Sequence, residues 1–243
     1  MALLEICADG LFSAIAASVS GADRIELCAS LESGGLTPSP GMLKVVRARV
    51  GIPMHVLVRP RRGDFVYTPA YMDIMLNDIM TIKEMGFEGV VIGVLDKNGE
   101  LDLPQMNELL DASKGMAVTF HRAIDVAKKP FMLLESLVTL GVERVLTSGG
   151  QPTALQGAEQ IASFVQAFGN HIQIMAGSGI NAGNALSLIQ LTGVGEIHSS
   201  AKNKLLPAYT HAPQAKMVED DWYLESDYKE IKALLKALES TRG

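Results

Sequence analysis

Cysteine, tryptophan and long apolar runs are all scarce in this chain. Its 243 residues include two cysteines and one tryptophan, and the aromatic residues Phe, Trp and Tyr make up 5%. Two thiols are too few for a disulfide-stapled scaffold, and they fit a reduced, cytoplasmic protein in which a structural disulfide is a poor default. Residues 89–95, a typical apolar run, are far shorter than the roughly 20 residues needed to cross a bilayer. The opening segment, Met1 to Cys7, lacks the basic region and cleavage pattern of an export signal. Positive charge is in deficit: 21 Lys and Arg against 27 Asp and Glu leave a net charge of −6. That balance disfavours nucleic acid or a membrane surface as partner, while leaving room for a local basic pocket.

What is present is apolar and periodic. Hydrophobic residues make up 48% and charged residues 20%, a globular profile long enough to bury a large core. Apolar, β-prone runs near 3–7, 23–28, 53–59, 88–93, 116–121, 143–147, 171–176 and 194–199 alternate with amphipathic stretches near 10–20, 39–49, 69–85, 103–112, 130–139, 153–168, 181–191 and 227–239. The last helix carries Ile231, Leu234, Leu235 and Leu238 on one stripe, and Asp227 with Glu230 forms a capping-box-like start. Gly86 and Gly141 follow helices where a left-handed residue often ends them. Strict alternation implies parallel strands. The pattern predicts a single α/β domain over residues 1–243, a (β/α)8 TIM barrel, with a doubly wound open sheet as the alternative. Residues 200–226 break the rhythm, with Pro207 and Pro213, and are expected to form a long loop between the eighth strand and the last helix. Trp222 is expected to staple that loop to the barrel or to a neighbouring subunit rather than to stack on a ligand.

In either architecture ligands gather at the carboxyl ends of the strands, and that is where reactive residues cluster. Successive strand residues face opposite ways, so Glu5 shares a face with Cys7, and Arg24 and Glu26 share one with Cys28. Neighbouring strands lie roughly 4.8 Å apart, which puts both thiols within reach of one soft ion such as copper(I). The same two residues also read as small apolar groups in a reduced core, and Glu5, Glu26 and Arg24 as an interior charge network. His198 would sit beside the first strand once the barrel closes, near Glu5 and Cys7, whereas His55 at the far end of its strand reads as structural.

Arg59 and Arg61 offer planar forks to a phosphate or carboxylate, or pair with Glu26. His121 ends the fifth strand as a proton-exchanging or metal-binding group, with Arg122 beside it and Asp125 placed to orient it. Ser148 with Gly149, and Gly177 with Ser178 and Gly179, let backbone amides approach a ligand; the second run precedes a helix start near Asn181 and suits an anion.

These segments together resemble the CutC family. The resemblance runs from Leu4 to about Ala201 and rests on Glu5-Ile6-Cys7, on residues 21–28 and 34–39, on Arg59-Pro60-Arg61 and Gly63-Asp64-Phe65, and on residues 119–123, 145–149 and 196–200. It implies a TIM barrel in the cytoplasm, copper(I) as proposed ligand through Cys7 and Cys28, and self-association into a homo-oligomer. Two functional expectations follow. One is copper handling, with Cys7 and Cys28 as thiolates supported by Glu5, Glu26 or His198. The other is an enzyme acting on a small anionic metabolite, with Arg59 and Arg61 clamping the anion, Glu26 or His121 moving protons and Asp125 assisting. A scaffold for protein partners is the blander alternative, without a distinctive motif.

Overall fold

Eight apolar strands, each followed by a helix that returns the chain to the same edge, bury both faces only if helices cover one side and the strands close on the other. In the computed structural model, which describes residues 2–206, 208 and 222–239, they close. The strands are β1 (Leu3–Asp9), β2 (Arg24–Cys28), β3 (Met54–Leu57), β4 (Gly89–Ile92), β5 (Ala117–Phe120), β6 (Arg144–Thr147), β7 (Gln173–Gly177) and β8 (Glu196–Ser199), paired in that order with β8 returning to β1. Around them lie α1 (Leu11–Ser20), α2 (Pro40–Arg47), α3 (Pro69–Glu84), α4 (Leu103–Ala112), α5 (Pro130–Thr139), α6 (Ala158–Phe168) and α7 (Ala185–Thr192), with α8 (Tyr228–Glu239) last. The (β/α)8 reading is correct, and the open sheet is excluded by the β1–β8 pairing.

The main apolar core lies between barrel and helices. Leu4, Ile6, Ile25 and Leu27 are fully buried there, on the face opposite to that of Glu5, Cys7, Arg24 and Glu26. Ile231, Leu234 and Leu238 of α8 join them, and Asp227 accepts from the amides of Lys229 and Glu230 at the start of that helix.

Inside the barrel the first layer is charged. Arg24 donates through Nε to Glu5 and through Nη2 to Glu196 Oε2 at 2.6 Å. Arg144 donates through Nε to the same Glu196 oxygen at 2.6 Å and through Nη1 to Thr119 Oγ1 at 3.3 Å. His55 sits against Gly89, where a Cβ would lie 2.5 Å from the imidazole Cδ2, so β4 needs glycine at this point.

Three expectations are corrected. The helices placed from 153 and 181 begin at Ala158 and Ala185, because side chains satisfy the preceding backbone first: Thr153 Oγ1 accepts from Gln156 N, and Asn181 Oδ1 from Gly183 N. The segment 200–226 is not a plain loop: β9 (Lys202–Leu205) and β10 (Tyr223–Ser226) form an antiparallel pair, tied to α1 by Ser226 N donating to Ser13 Oγ at 3.0 Å. Pro207 and Pro213 lie outside the described residues. Trp222, just before β10, contacts β9, with Lys204 Nζ 3.9 Å from its ring centre.

Glu196 neutralises two buried guanidinium groups, so Glu196→Gln should destabilise the fold by about 3–5 kcal/mol, read as a lowered urea midpoint. A change below about 1 kcal/mol would show that the layer is not acting as an ion network.

Candidate functional site

Above the charged layer, at the carboxyl ends of the strands, a cavity of about 370 Å³ opens. Cys7, Glu26 and His198 form one wall; His121, Arg59 and Phe65 another; Ser178, Gly179 and Lys202 contribute to its rim. Strand register brings the first wall together. Cys7 of β1 is level with Glu26 of β2, and Glu5, two residues below Cys7, is level with His198 of β8.

The sulfurs of Cys7 and Cys28 are 3.7 Å apart, and Cys7 Sγ lies 3.6 Å from Glu26 Oε1. One ligand atom each from Cys7, Glu26 and His198 fall within 4.8 Å of one another. Both cysteines are free and buried, packed with Leu57 and Val91; Cys7 reaches the cavity wall, while Cys28 sits behind it. His198 Nδ1 contacts Glu5 Oε1 at 2.8 Å. Since Glu5 is a carboxylate, Nδ1 carries the proton and Nε2 is left for the thiol side. Gly177 of β7 makes this possible, because a Cβ there would stand 2.5 Å from Leu146 Cδ1 and 3.3 Å from His198 Cβ.

Protonation follows from burial and neighbours. Burial alone would raise Glu5, but the hydrogen bond from His198 and the charge of Arg24 hold it far below the usual carboxylate range. Burial would depress His198, yet Glu26, Cys7 and Glu5 raise it well above its ordinary value. The hydrogen bond with Cys28, then burial, pushes the Cys7 thiol up. Burial raises Glu26, whose Oε2 has no hydrogen-bond partner among the described residues.

His121 ends its strand at the cavity but is not oriented by Asp125. Its Nδ1 accepts the Ala123 amide at 3.2 Å across the start of a short 3-10 turn, Arg122–Val126, and Phe65 lies against the ring with centres 4.7 Å apart. Burial first, and then the charge of Arg59, lower its pKa to about 3. Asp125 instead binds the loop after β6, accepting from Thr147 Oγ1 at 2.6 Å, from the Ser148 and Gly150 amides, and from Arg122 Nε at 2.7 Å. Ser148 and Gly149 are therefore consumed in structure and do not line this cavity. Gly149 is needed because it presses against Gly157, where a Cβ would meet backbone. Arg122 does reach the cavity, while also donating to Ser148 Oγ.

Arg59 lines the cavity, but its terminal nitrogens donate to the carbonyls of Ser33, Gly35 and Gly63, clamping two loops, while its Nε has no partner among the described residues. Arg61 is not at the site: it pairs with Asp64 at 2.7 Å and lies 5.2 Å from the ring centres of both Tyr67 and Tyr71. Neither arginine pairs with Glu26. Ser178 and Gly179 do reach the rim, and Ser178 adopts φ 88°, an uncommon left-handed conformation for a residue with a Cβ.

Lys202 and Gly93 escaped sequence reasoning. Lys202 lies in the stretch that shows no period; Gly93, just past β4, yields its volume to the His121 ring, which a Cβ would overlap. An apolar run closed by a glycine opposite a strand-end histidine was the available signal.

A closed ring of parallel strands with a polar cavity at its carboxyl face defines a TIM-barrel protein. Structures of phosphoribosylanthranilate isomerase from Thermotoga maritima share this fold alone, one with TM-score 0.60 at 13% identity over 99% of this chain and 100% of that one. The family assignment is sharper. The CutC family model matches residues 2–203, and the chain belongs to that family. A CutC family protein of Xanthomonas campestris pv. campestris (strain 8004) is 44% identical over 98% of this chain and 99% of its own length, and one from Xylella fastidiosa (strain Temecula1) is 50% identical over 82% and 75%. A CutC structure from Streptococcus agalactiae, named for copper homeostasis, superposes with TM-score 0.78 at 33% identity, over 82% of this chain and 99% of that one.

Two predictions follow from these protonation states and contacts. His55, lowered to about 4 chiefly by burial, and His121, lowered to about 3, are neutral when folded and take up protons more readily when unfolded. Their contribution to stability is complete above the unfolded value of about 6.5 and is lost as pH falls towards those folded values. His55→Gln should therefore flatten the decline of the urea midpoint between pH 6.5 and 4; an unchanged slope would refute the assignment. Gly93→Ala should cost about 1–3 kcal/mol by overpacking and shift the His121 ring resonances in NMR spectra.

Proposed function

We propose that this chain binds copper(I) as cargo at the Cys7–Cys28 corner and acts in copper homeostasis in the cytoplasm. The observation that carries the reading is the pair of buried, reduced thiols 3.7 Å apart, with His198 and Glu26 beside Cys7. Thiolate and imidazole form a soft donor set of the kind copper(I) prefers. His198 has the support that metal-bound imidazoles usually have, its other ring nitrogen being held by the Glu5 carboxylate. Free thiols suit a reducing compartment. The copper homeostasis name of the Streptococcus agalactiae relative points the same way. Self-association is part of the proposal, supported by exposed apolar side chains such as Phe12, Val19 and Leu206.

A second reading is favoured by the size of the cavity, about 370 Å³, far more than one ion occupies. Its mixture of Glu26, His121, Arg122, Lys202 and the Ser178–Gly179 turn suits a small anionic metabolite bound, and acted on, at the carboxyl face of the barrel.

Titration of the reduced protein with copper(I) against a competing chelator tests the first reading. Cys7→Ser and Cys28→Ser should each weaken binding by more than about 100-fold, beyond the 10–100-fold typical when only a supporting group is lost. Unchanged affinity in both variants removes these ligands.

A further inference from the structure

Resting on the second reading, we infer that the compound bound in the cavity carries a carbonyl group beside its anionic group, and that His121 is a neutral, fixed hydrogen-bond donor to that carbonyl oxygen. The ring's tautomer is set by the backbone. Nδ1 accepts the Ala123 amide, so in the neutral imidazole the proton resides on Nε2. Nε2 is buried and has no partner among the described residues, on a side chain only 5% exposed that lines the cavity. Buried donors are almost always satisfied, and the cavity is where the missing acceptor fits.

The character of that acceptor follows from the ring's charge. With its pKa lowered to about 3, His121 holds its proton as a neutral donor rather than exchanging it at neutral pH. A fixed neutral N–H is suited to an oxygen on which negative charge accumulates, as on a polarised carbonyl. An imidazole kept neutral by a helix start performs this task in the barrel enzyme triosephosphate isomerase. Here the 3-10 turn, Phe65 and the space at Gly93 hold the ring in one orientation, so little reorganisation accompanies binding. Glu26 Oε2, another buried atom on this cavity without a partner among the described residues, is an acceptor suited to a hydroxyl next to the carbonyl. Lys202, Arg122 and the Ser178–Gly179 turn lie where a phosphate or carboxylate would complete the ligand. The ligand class is thus a small anionic hydroxy-carbonyl compound.

The probes are dihydroxyacetone phosphate and hydroxypyruvate, which carry the same hydroxy-ketone on a phosphate and on a carboxylate, each with its alcohol counterpart, glycerol 3-phosphate and glycerate. At least one ketone should bind tenfold or more tighter than its alcohol by calorimetry, with its carbonyl infrared stretch moved to lower frequency on the protein. His121→Phe should abolish both the preference and the shift, and His121→Gln, whose amide places a donor near the Nε2 position, should restore part of each. The shift in the unsubstituted protein decides the matter even where a variant does not fold. Equal affinity for ketone and alcohol with an unshifted stretch would overturn the inference and leave the anionic-metabolite reading standing. Failure of all four probes and of inorganic phosphate to bind would remove that reading and the inference with it.

Discussion

Glu5 is completely buried, and its carboxylate is shared between Arg24 below and His198 beside it. A lone buried carboxylate would be costly, so its ionisation depends on both partners being present at once. Through Arg24 the charge is linked to Glu196 and Arg144, forming a floor across the barrel; through His198 it reaches the thiol corner. The cavity stands on that floor. Loss of any member would leave a charged neighbour unpaired in an apolar interior, which is why the arrangement fixes side-chain orientation as well as stability.

Above the floor, backbone and side chains divide the work differently from a simple ring of reactive groups. Arg59, Asp125 and Ser148 hold the loops between β2 and α3 and between β5 and α6, using nearly all their hydrogen-bonding capacity on the chain itself. Gly89, Gly93 and Gly177 yield space to His55, His121 and His198 in turn. Among the described residues, the fully buried cavity atoms left without a partner include Glu26 Oε2, Arg59 Nε and His121 Nε2. Chemistry at this site is set by which atoms the fold leaves unused. The proposed copper site draws on the thiol corner, and the proposed metabolite site chiefly on His121 and the rim; Glu26 borders both.

Strand and helix periods, the parity of Glu5, Cys7, Glu26 and Cys28, and the placement of His198 beside the first strand were all legible from the chain, because they depend on local geometry and on the closure of a parallel barrel. The antiparallel pair of β9 and β10 was not legible: β9 has four exposed residues, and it is held by pairing with β10 and by Ser226 bridging to Ser13 and Ser200, contacts no period announces. Residue type alone suggested Arg61 and Gly149 as ligand contacts and Asp125 as the partner of His121, whereas Arg61 pairs with Asp64, Gly149 N donates to Thr147 Oγ1 and Asp125 binds the loop after β6. A guanidinium or carboxylate satisfies a backbone carbonyl or amide as readily as a substrate, and only packing decides which is nearer.

Sequence by itself determined the barrel and the shared face of Glu5 with Cys7 and of Glu26 with Cys28, since period and parity are properties of the backbone. Tertiary structure alone decided that the two sulfurs lie within contact, that the Ala123 amide takes up His121 Nδ1 and leaves Nε2 at the cavity, and that a strand from the unpatterned segment supplies Lys202 to the rim. Those outcomes depend on distances between residues far apart in the chain and on burial, and neither quantity is encoded at any single position.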